Sequence, residues 1–306
     1  MPGCRARHGA AANLGYYPMD LLTDTLVNAV VASAATALIV AGLSLIFGVM
    51  KVENFAHGEI YMVGAYTTFF FSKVLELGYW VGCAASLCVT ALLGVLIEYL
   101  LLRPVRKNPM GPLIMTVGVL LVLQTAAVAL FGLNSDALVE SPFPGVADIA
   151  GVTIAWHRIF VIVASLALLS ALVLLLQFTR FGRALRAVSQ DKEAASLQGI
   201  SIDRISLVAM GLSTALAGAA GSLMAPITRV GPFMGQPVII TAFVVIIIGG
   251  ISSLRGAIIA SVLYSTFFTF IATYADSTVA SIAGLCLMLI VLIVKPSGLI
   301  GSTQKV

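Results

Sequence analysis

Solid apolar runs of about 20 residues, the length needed to cross roughly 30 Å of hydrocarbon as a helix, recur along nearly this whole chain. They extend from Leu26 to Met50, Phe55 to Ser72, Trp80 to Leu102, Pro112 to Phe131, Ile159 to Phe178, Ile205 to Ile227, Val238 to Ile251, Ala257 to Tyr274 and Val279 to Val294. Inside a bilayer every backbone polar group must be satisfied within the chain, which leaves helices or a closed barrel. A barrel needs alternating apolar and polar residues, and these runs do not alternate. The sequence therefore predicts an all-α, polytopic integral membrane protein. It has about 8–9 transmembrane helices, one or two of them broken or re-entrant. Composition agrees: 60% of the 306 residues are hydrophobic and 10% are charged, whereas soluble domains carry about 25% charged residues. Cys4, Cys83, Cys88 and Cys286 have no CxxC spacing, and those in the runs read as small apolar residues.

Lysine and arginine placement orients the chain. Arg103, Arg106 and Lys107 crowd one turn, and Arg180, Arg183, Arg186, Lys192 and Arg204 another. The loop between them, 132–157, holds Asp136, Glu140 and Asp148 but no lysine or arginine. The positive-inside rule puts the two basic loops in the cytoplasm. Arg229 then lies on the outer side against the trend, and the N-terminus, with Arg5 and Arg7, does so too. Met19-Asp20-Leu21-Leu22 reads as a natural start. Residues 1–18 are read as an extension with a misplaced start, since they lack the apolar stretch of a signal peptide. Residues 19–301 form one membrane domain, with a cytoplasmic loop at 180–204, and 302–306 a short tail.

Two stretches interrupt the apolar pattern. Lys51-Val52-Glu53-Asn54-Phe55-Ala56-His57-Gly58-Glu59 precedes a run, Ile60 to Phe71, that measures only ~18 Å as a helix. Gly249-Gly250-Ile251-Ser252-Ser253-Leu254-Arg255-Gly256 follows another short run. Short, interrupted segments in both halves of a transporter point to the substrate path. Asn54, His57, Gly58, Glu59, Gly249, Gly250 and Ser252 are the candidates for it. An ordinary turn at the membrane face is the alternative for each stretch. In the run from Ile205, Thr214, Gly218 and Ser222 form one small-residue stripe and Ala217, Gly221 and Ala225 another. Such stripes let helices pack closely, here read as tight internal packing, with a subunit interface as the alternative.

The basic loop carries its own pattern. Arg183, Arg186, Gln190 and Glu193 fall on one helical face. Asp191 can cap a following helix, and Gly199 can end it in the left-handed conformation. A helix over Lys192–Gln198 is predicted on the cytoplasmic face, with a solvated loop as the alternative.

Glu193-Ala194-Ala195, three residues and then Gly199 resemble the EAA loop of bacterial ABC-importer permeases. Further motifs are Gly42-Leu43-Ser44-Leu45-Ile46-Phe47-Gly48-Val49, Asn54-Phe55-Ala56-His57-Gly58-Glu59, Arg103-Pro104, Phe181-Gly182-Arg183-Ala184-Leu185-Arg186-Ala187 and Gly249-Gly250. With them, the chain from Met19 to Gly301 resembles the branched-chain amino-acid permease family, its LivH-type subunits in particular. Glu53 and Arg255 depart from the family pattern, where an apolar residue and a proline are usual. The resemblance implies an ABC-importer permease fold in a bacterial inner membrane. It implies a second permease subunit forming a heterodimer, two ABC ATPase subunits and a periplasmic substrate-binding protein. Arg183, Arg186, Asp191, Glu193, Ala194, Ala195 and Gly199 would then form the ATPase-coupling surface. The cargo would be branched-chain or related amino acids, with urea or short-chain amides as the alternative.

No G-x-x-x-x-G-K-[ST] phosphate loop occurs in the chain. ATP and Mg are accordingly expected on partner subunits, and no cofactor on this one. Paired catalytic carboxylates are missing, His8, His57 and His157 are too scattered for a metal site, and no basic aromatic patch suggests nucleic acid. The chain is thus read as a transport subunit embedded in lipid, not an enzyme. An ion-coupled secondary transporter would need acids in mid-span, and only Glu59 and Glu98, near span ends, come close.

Overall fold

The computed structural model describes residues 18–106, 108, 110–133, 138–149, 152–251 and 253–300. The extension at 1–17, with Arg5 and Arg7, the tail at 302–306, and Lys107, Asp136 and Ser252 lie outside the described residues.

Helix α1 (Pro18–Met50) is followed by six non-helical residues and then α2 (His57–Phe69), which continues as a π-helical turn, Phe70–Val74. Helix α3 (Tyr79–Leu96) likewise runs on through a π turn, Ile97–Leu102, into the single turn α4 (Arg103–Val105). Then come α5 (Gly111–Phe131), strands β1 (Val146–Ile149) and β2 (Val152–Ala155), and α6 (Trp156–Phe178). The basic loop folds as α7 (Arg180–Gln190) and α8 (Lys192–Leu197). The chain closes with α9 (Ile202–Met224), α10 (Gly235–Gly249), α11 (Leu254–Tyr274) and α12 (Ser277–Val294). Among the described residues 7 helices are long and apolar enough to cross a membrane; α10 is a shorter apolar one.

Contacts fix which ends share a face. Arg103 Nη2 donates to Asp203 Oδ2 at 2.5 Å, and Arg106 bridges Asp203 and Glu98. Lys192 Nζ donates to Met50 O at 3.1 Å. The basic turns, the end of α1 and the start of α9 therefore lie together, on the face the positive-inside rule assigns to the cytoplasm. On the other face Lys73 pairs with Glu140 at 2.6 Å, and Tyr79, Trp80, Phe143 and Phe160 form an aromatic cluster. Aromatic side chains at that level suit the boundary between lipid and water. The small hairpin, Val146 opposite Ala155, lies in this outer loop and was not foreseen by the sequence reading. Its unpaired edges are tolerable there because water, not lipid, faces them.

These directions divide the chain into two four-helix units of opposite orientation, α1-α2-α3-α5 and α9-α10-α11-α12, with α6 to α8 between them. Helix α1 runs toward the cytoplasmic face and α9 away from it. The two most extensive helix contacts, α3 with α9 and α1 with α11, exchange under this relation. Inverted repeats of this kind are a common transporter architecture. Helices α1 and α9 are the most buried and cross at the centre, where Ser213 Oγ donates to Gly42 O at 2.6 Å.

Candidate functional site

The break between α1 and α2 begins at Lys51, whose positive φ of 55° turns the chain out of α1. The next residues climb back into the molecule. Asn54 is buried; its Oδ1 accepts from Ala56 N at 3.1 Å and its Nδ2 approaches Met210 Sδ at 3.9 Å. His57, at the start of α2, is fully buried, and Nε2 donates to Ile39 O at 3.1 Å. Ile39 lies 11 residues before the end of α1, so α2 starts about 16 Å inside that end. The expectation of a polar stretch partly within the membrane describes this geometry.

Helix α10 starts inside the membrane as well. A Cβ on Gly235 would stand 2.6 Å from Gly58 O and 2.9 Å from Glu59 Cδ. The N-termini of two half-helices thus meet at Gly58 and Gly235, and only glycine allows that approach. Glu59 sits in the first turn of α2 and against the start of α10. Its Oε1 accepts from Gln124 Nε2 of α5 at 2.9 Å, while Oε2 has no partner among the described residues. An acidic side chain beside two helix N-termini faces their unsatisfied N–H groups and positive dipole ends. That placement offsets part of the cost of burying it inside the bundle at membrane depth.

Beside the junction lies a cavity of about 290 Å³, lined mainly from α1, α10 and α11. Its wall is apolar, with hydroxyls from Thr36, Tyr61, Thr228, Thr241, Tyr264, Ser265 and Thr269. Asn54, His57, Gly58 and Glu59 are not part of its lining; His57 reaches it only through the lining residue Ile39. Gly249 and Gly250 lie elsewhere: they close α10 at its cytoplasmic end, Gly250 with a φ of 103°. There Leu299 N donates to Ile248 O at 2.8 Å and Ile300 N to Gly249 O at 3.3 Å. The sequence pattern located one end of the short helix, whereas its membrane-embedded end is Gly235, after Val230-Gly231-Pro232. Prolines and glycines there were the available signal.

On the cytoplasmic face Thr179 Oγ1 caps α7 by accepting from Gly182 N at 3.1 Å. Asp191 caps α8, its Oδ1 accepting from Glu193 N at 2.8 Å and Ala194 N at 3.0 Å. Gly199 follows α8 with a φ of 79°, and Ile200 N donates back to Ala195 O at 3.1 Å. Ala195 is buried against the body of the protein; Glu193 and Ala194 face outward with Leu197, which is 88% exposed. Leu197 was missed by the sequence reading, because an apolar residue on a short helix reads as core. Arg183 and Arg186 are both exposed, and Arg186 folds back to donate to Leu176 O in the last turn of α6. Lys192 joins α8 to the end of α1. Burial pushes its ammonium below the usual lysine range, and nearby Arg106 and Lys51 push the same way.

Two opposed repeats, half-helices meeting inside the membrane and an exposed, capped cytoplasmic helix define a polytopic membrane transporter. The family model described as the branched-chain amino acid transport system permease component matches residues 25–296. A permease of that description, BraD of Pseudomonas aeruginosa, is 30% identical over 294 residues, covering 91% of this chain and 95% of its own. LivH of Escherichia coli K12 is also 30% identical over 294 residues, covering 90% and 94%. Among solved structures, PsaBC from Streptococcus pneumoniae in complex with Fab matches the fold with a TM-score of 0.51 at 16% identity, covering 91% and 95%. The chain belongs to the branched-chain amino acid permease family and is a multi-pass inner-membrane transport subunit.

Proposed function

We propose that this chain is a permease subunit of an ATP-driven importer that carries branched-chain amino acids delivered by a periplasmic binding protein. A second permease would stand beside it, and two ATPase subunits would hold ATP and Mg. The observation that carries this reading is α8. It is capped at both ends, presents Glu193, Ala194 and Leu197 outward, and is tied by Lys192 to the end of α1. Helix α1 leads within six residues to the half-helix junction. Movement of an ATPase bound to α8 would therefore be passed to α1 and on to His57 and Glu59, changing which side the path opens to. The relatives' names support the amino-acid cargo, and the apolar cavity with scattered hydroxyls is compatible with it.

Reconstitution with the cognate ATPases and binding protein tests this. Gly199→Val forces a β-branched residue into a positive φ and strains α8 by about 1 kcal/mol or more. It should leave the spans folded and reduce both ATPase pull-down and leucine uptake; Glu193→Lys and Leu197→Asp should act on the same surface. Wild-type association and uptake in all three would remove α8 from the mechanism.

A further inference from the structure

A groove of about 320 Å³ opens on the cytoplasmic side between α1, α6, α7 and α11, with no residue of α8 in its lining. Its base carries two cations, Arg186 and Arg255. Neither joins an ion pair among the described residues, although Arg103 and Arg106 on the same face do; Arg186 donates one N–H to Leu176 O. Arg255 is placed against its own helix. It stands in the first turn of α11, whose N-terminus is capped by Ser253 Oγ accepting from Gly256 N at 3.1 Å. A positive side chain beside the positive end of a helix dipole is unfavourable unless an anion joins them.

From that base the groove climbs away from the cytoplasmic face. Arg255 on α11 is followed by Ile258, and Gln177 on α6 gives way one turn higher to Val173, so the charged floor becomes a largely apolar wall, with Ser44 its polar residue on α1. Its α1 side is hollow at Gly48, where a Cβ would meet nothing within 4 Å. Cations at the membrane surface with an apolar trough rising into the inner half of the bilayer match one chemistry: a phosphate carried on an acyl chain.

We propose that this groove binds an anionic phospholipid of the inner leaflet, its phosphate between Arg186 and Arg255 and an acyl chain along Gly48, Val173 and Ile258. The volume suits a headgroup and the beginning of one chain, with the remainder of the lipid in the bilayer. Arg255 and Gly48 belong to neither the half-helix junction nor the α8 surface, so the site adds a lipid requirement to the transporter without altering its cargo path.

Native mass spectrometry of the complete transporter, purified in detergent, reads this directly. Phosphatidylglycerol is compared with phosphatidylcholine of identical chains, and glycerol 3-phosphate serves as the headgroup without a tail. The wild type should retain phosphatidylglycerol preferentially. Arg255→Gln should lower that preference about fivefold, the effect of one arginine at an anionic surface. Gly48→Leu projects a side chain into the trough from a Cβ that meets nothing within 4 Å, and should reduce retention of phosphatidylglycerol while leaving the transporter assembled. Equal retention of the two lipids by the wild type overturns the proposal, as does unchanged retention in both variants. Displacement of the lipid by equimolar glycerol 3-phosphate would make this a free-anion site instead. Loss of the ATPases from Arg255→Gln with lipid retention intact would make it a protein contact.

Discussion

The two repeats place equivalent helices together, yet one contact is closed and its counterpart open. In the first, α2 lies directly on α9: a Cβ on Gly64 would meet Gly218 Cα and O at 2.5 Å, and one on Gly221 would stand 3.1 Å from Ala65 N. Helix α3 seals the seam from the side, with Ser86 Oγ donating to Gly218 O at 3.1 Å. In the second, α10 faces α1 across the 290 Å³ cavity, with Pro237, Val238 and Thr241 opposite Ala35, Thr36 and Ile39. Backbone-to-backbone packing gains dispersion contacts and needs no apolar solvent effect, which lipid does not supply. Larger side chains on α10 prevent that approach. The glycine seam is therefore the fixed half of the bundle, and the α1–α10 side is where helices have room to move.

The largest test strikes the seam. Gly64→Val puts a branched side chain into Gly218 backbone, and neither helix can yield without parting. A loss of about 3 kcal/mol, the upper end for overpacking, should leave little monodisperse protein on size-exclusion chromatography. Normal yield and melting temperature would show that α2 is free to shift, and the contrast with α10 would vanish.

An intermediate effect is expected where the two regions meet. Glu59→Gln retains an acceptor for Gln124 and should melt near the parent temperature, whereas Glu59→Ala leaves that buried amide unpaired, at about 1–3 kcal/mol. Both should lower uptake, because the acidic group between the helix N-termini is gone. Equal melting of the Ala variant and the parent would mean that the carboxylate does not hold the junction.

The smallest effect belongs to the cavity. Ala35→Val adds methyl groups to a wall that has space, so stability should change by no more than about 1 kcal/mol in thermal melts. A drop as large as that of Gly64→Val would mean the two sides are equally tight.

Sequence reasoning reached the helices because a lipid-exposed backbone imposes its own length rule. It reached the α2 break because Glu53, His57 and Glu59 are conspicuous amid apolar residues. The break before α10 is uncharged from Val230 to Pro237, and the pattern drew attention to Gly249–Gly250 at the other end. Asp191 and Gly199 were legible because capping is local chemistry. Gln124 as the partner of Glu59 was not, since 65 residues separate them, and neither was Leu197, whose exposure depends on how α8 sits on the body. The small-residue stripes of α9 were read as packing surfaces; the positions they face, Gly64 and Thr90, come from the fold alone.

The tether from Lys192 to the end of α1 has a consequence for recognition. Six residues are too few to hold a helix in water by themselves, and α8 keeps its shape through its caps and this anchor. A docking protein would meet a peg already in its bound form and lose little conformational entropy in seating it. Its grip would then be decided by surface fit at Glu193, Ala194 and Leu197. Cutting the anchor, by contrast, would weaken docking through disorder, with every contacting side chain still in place.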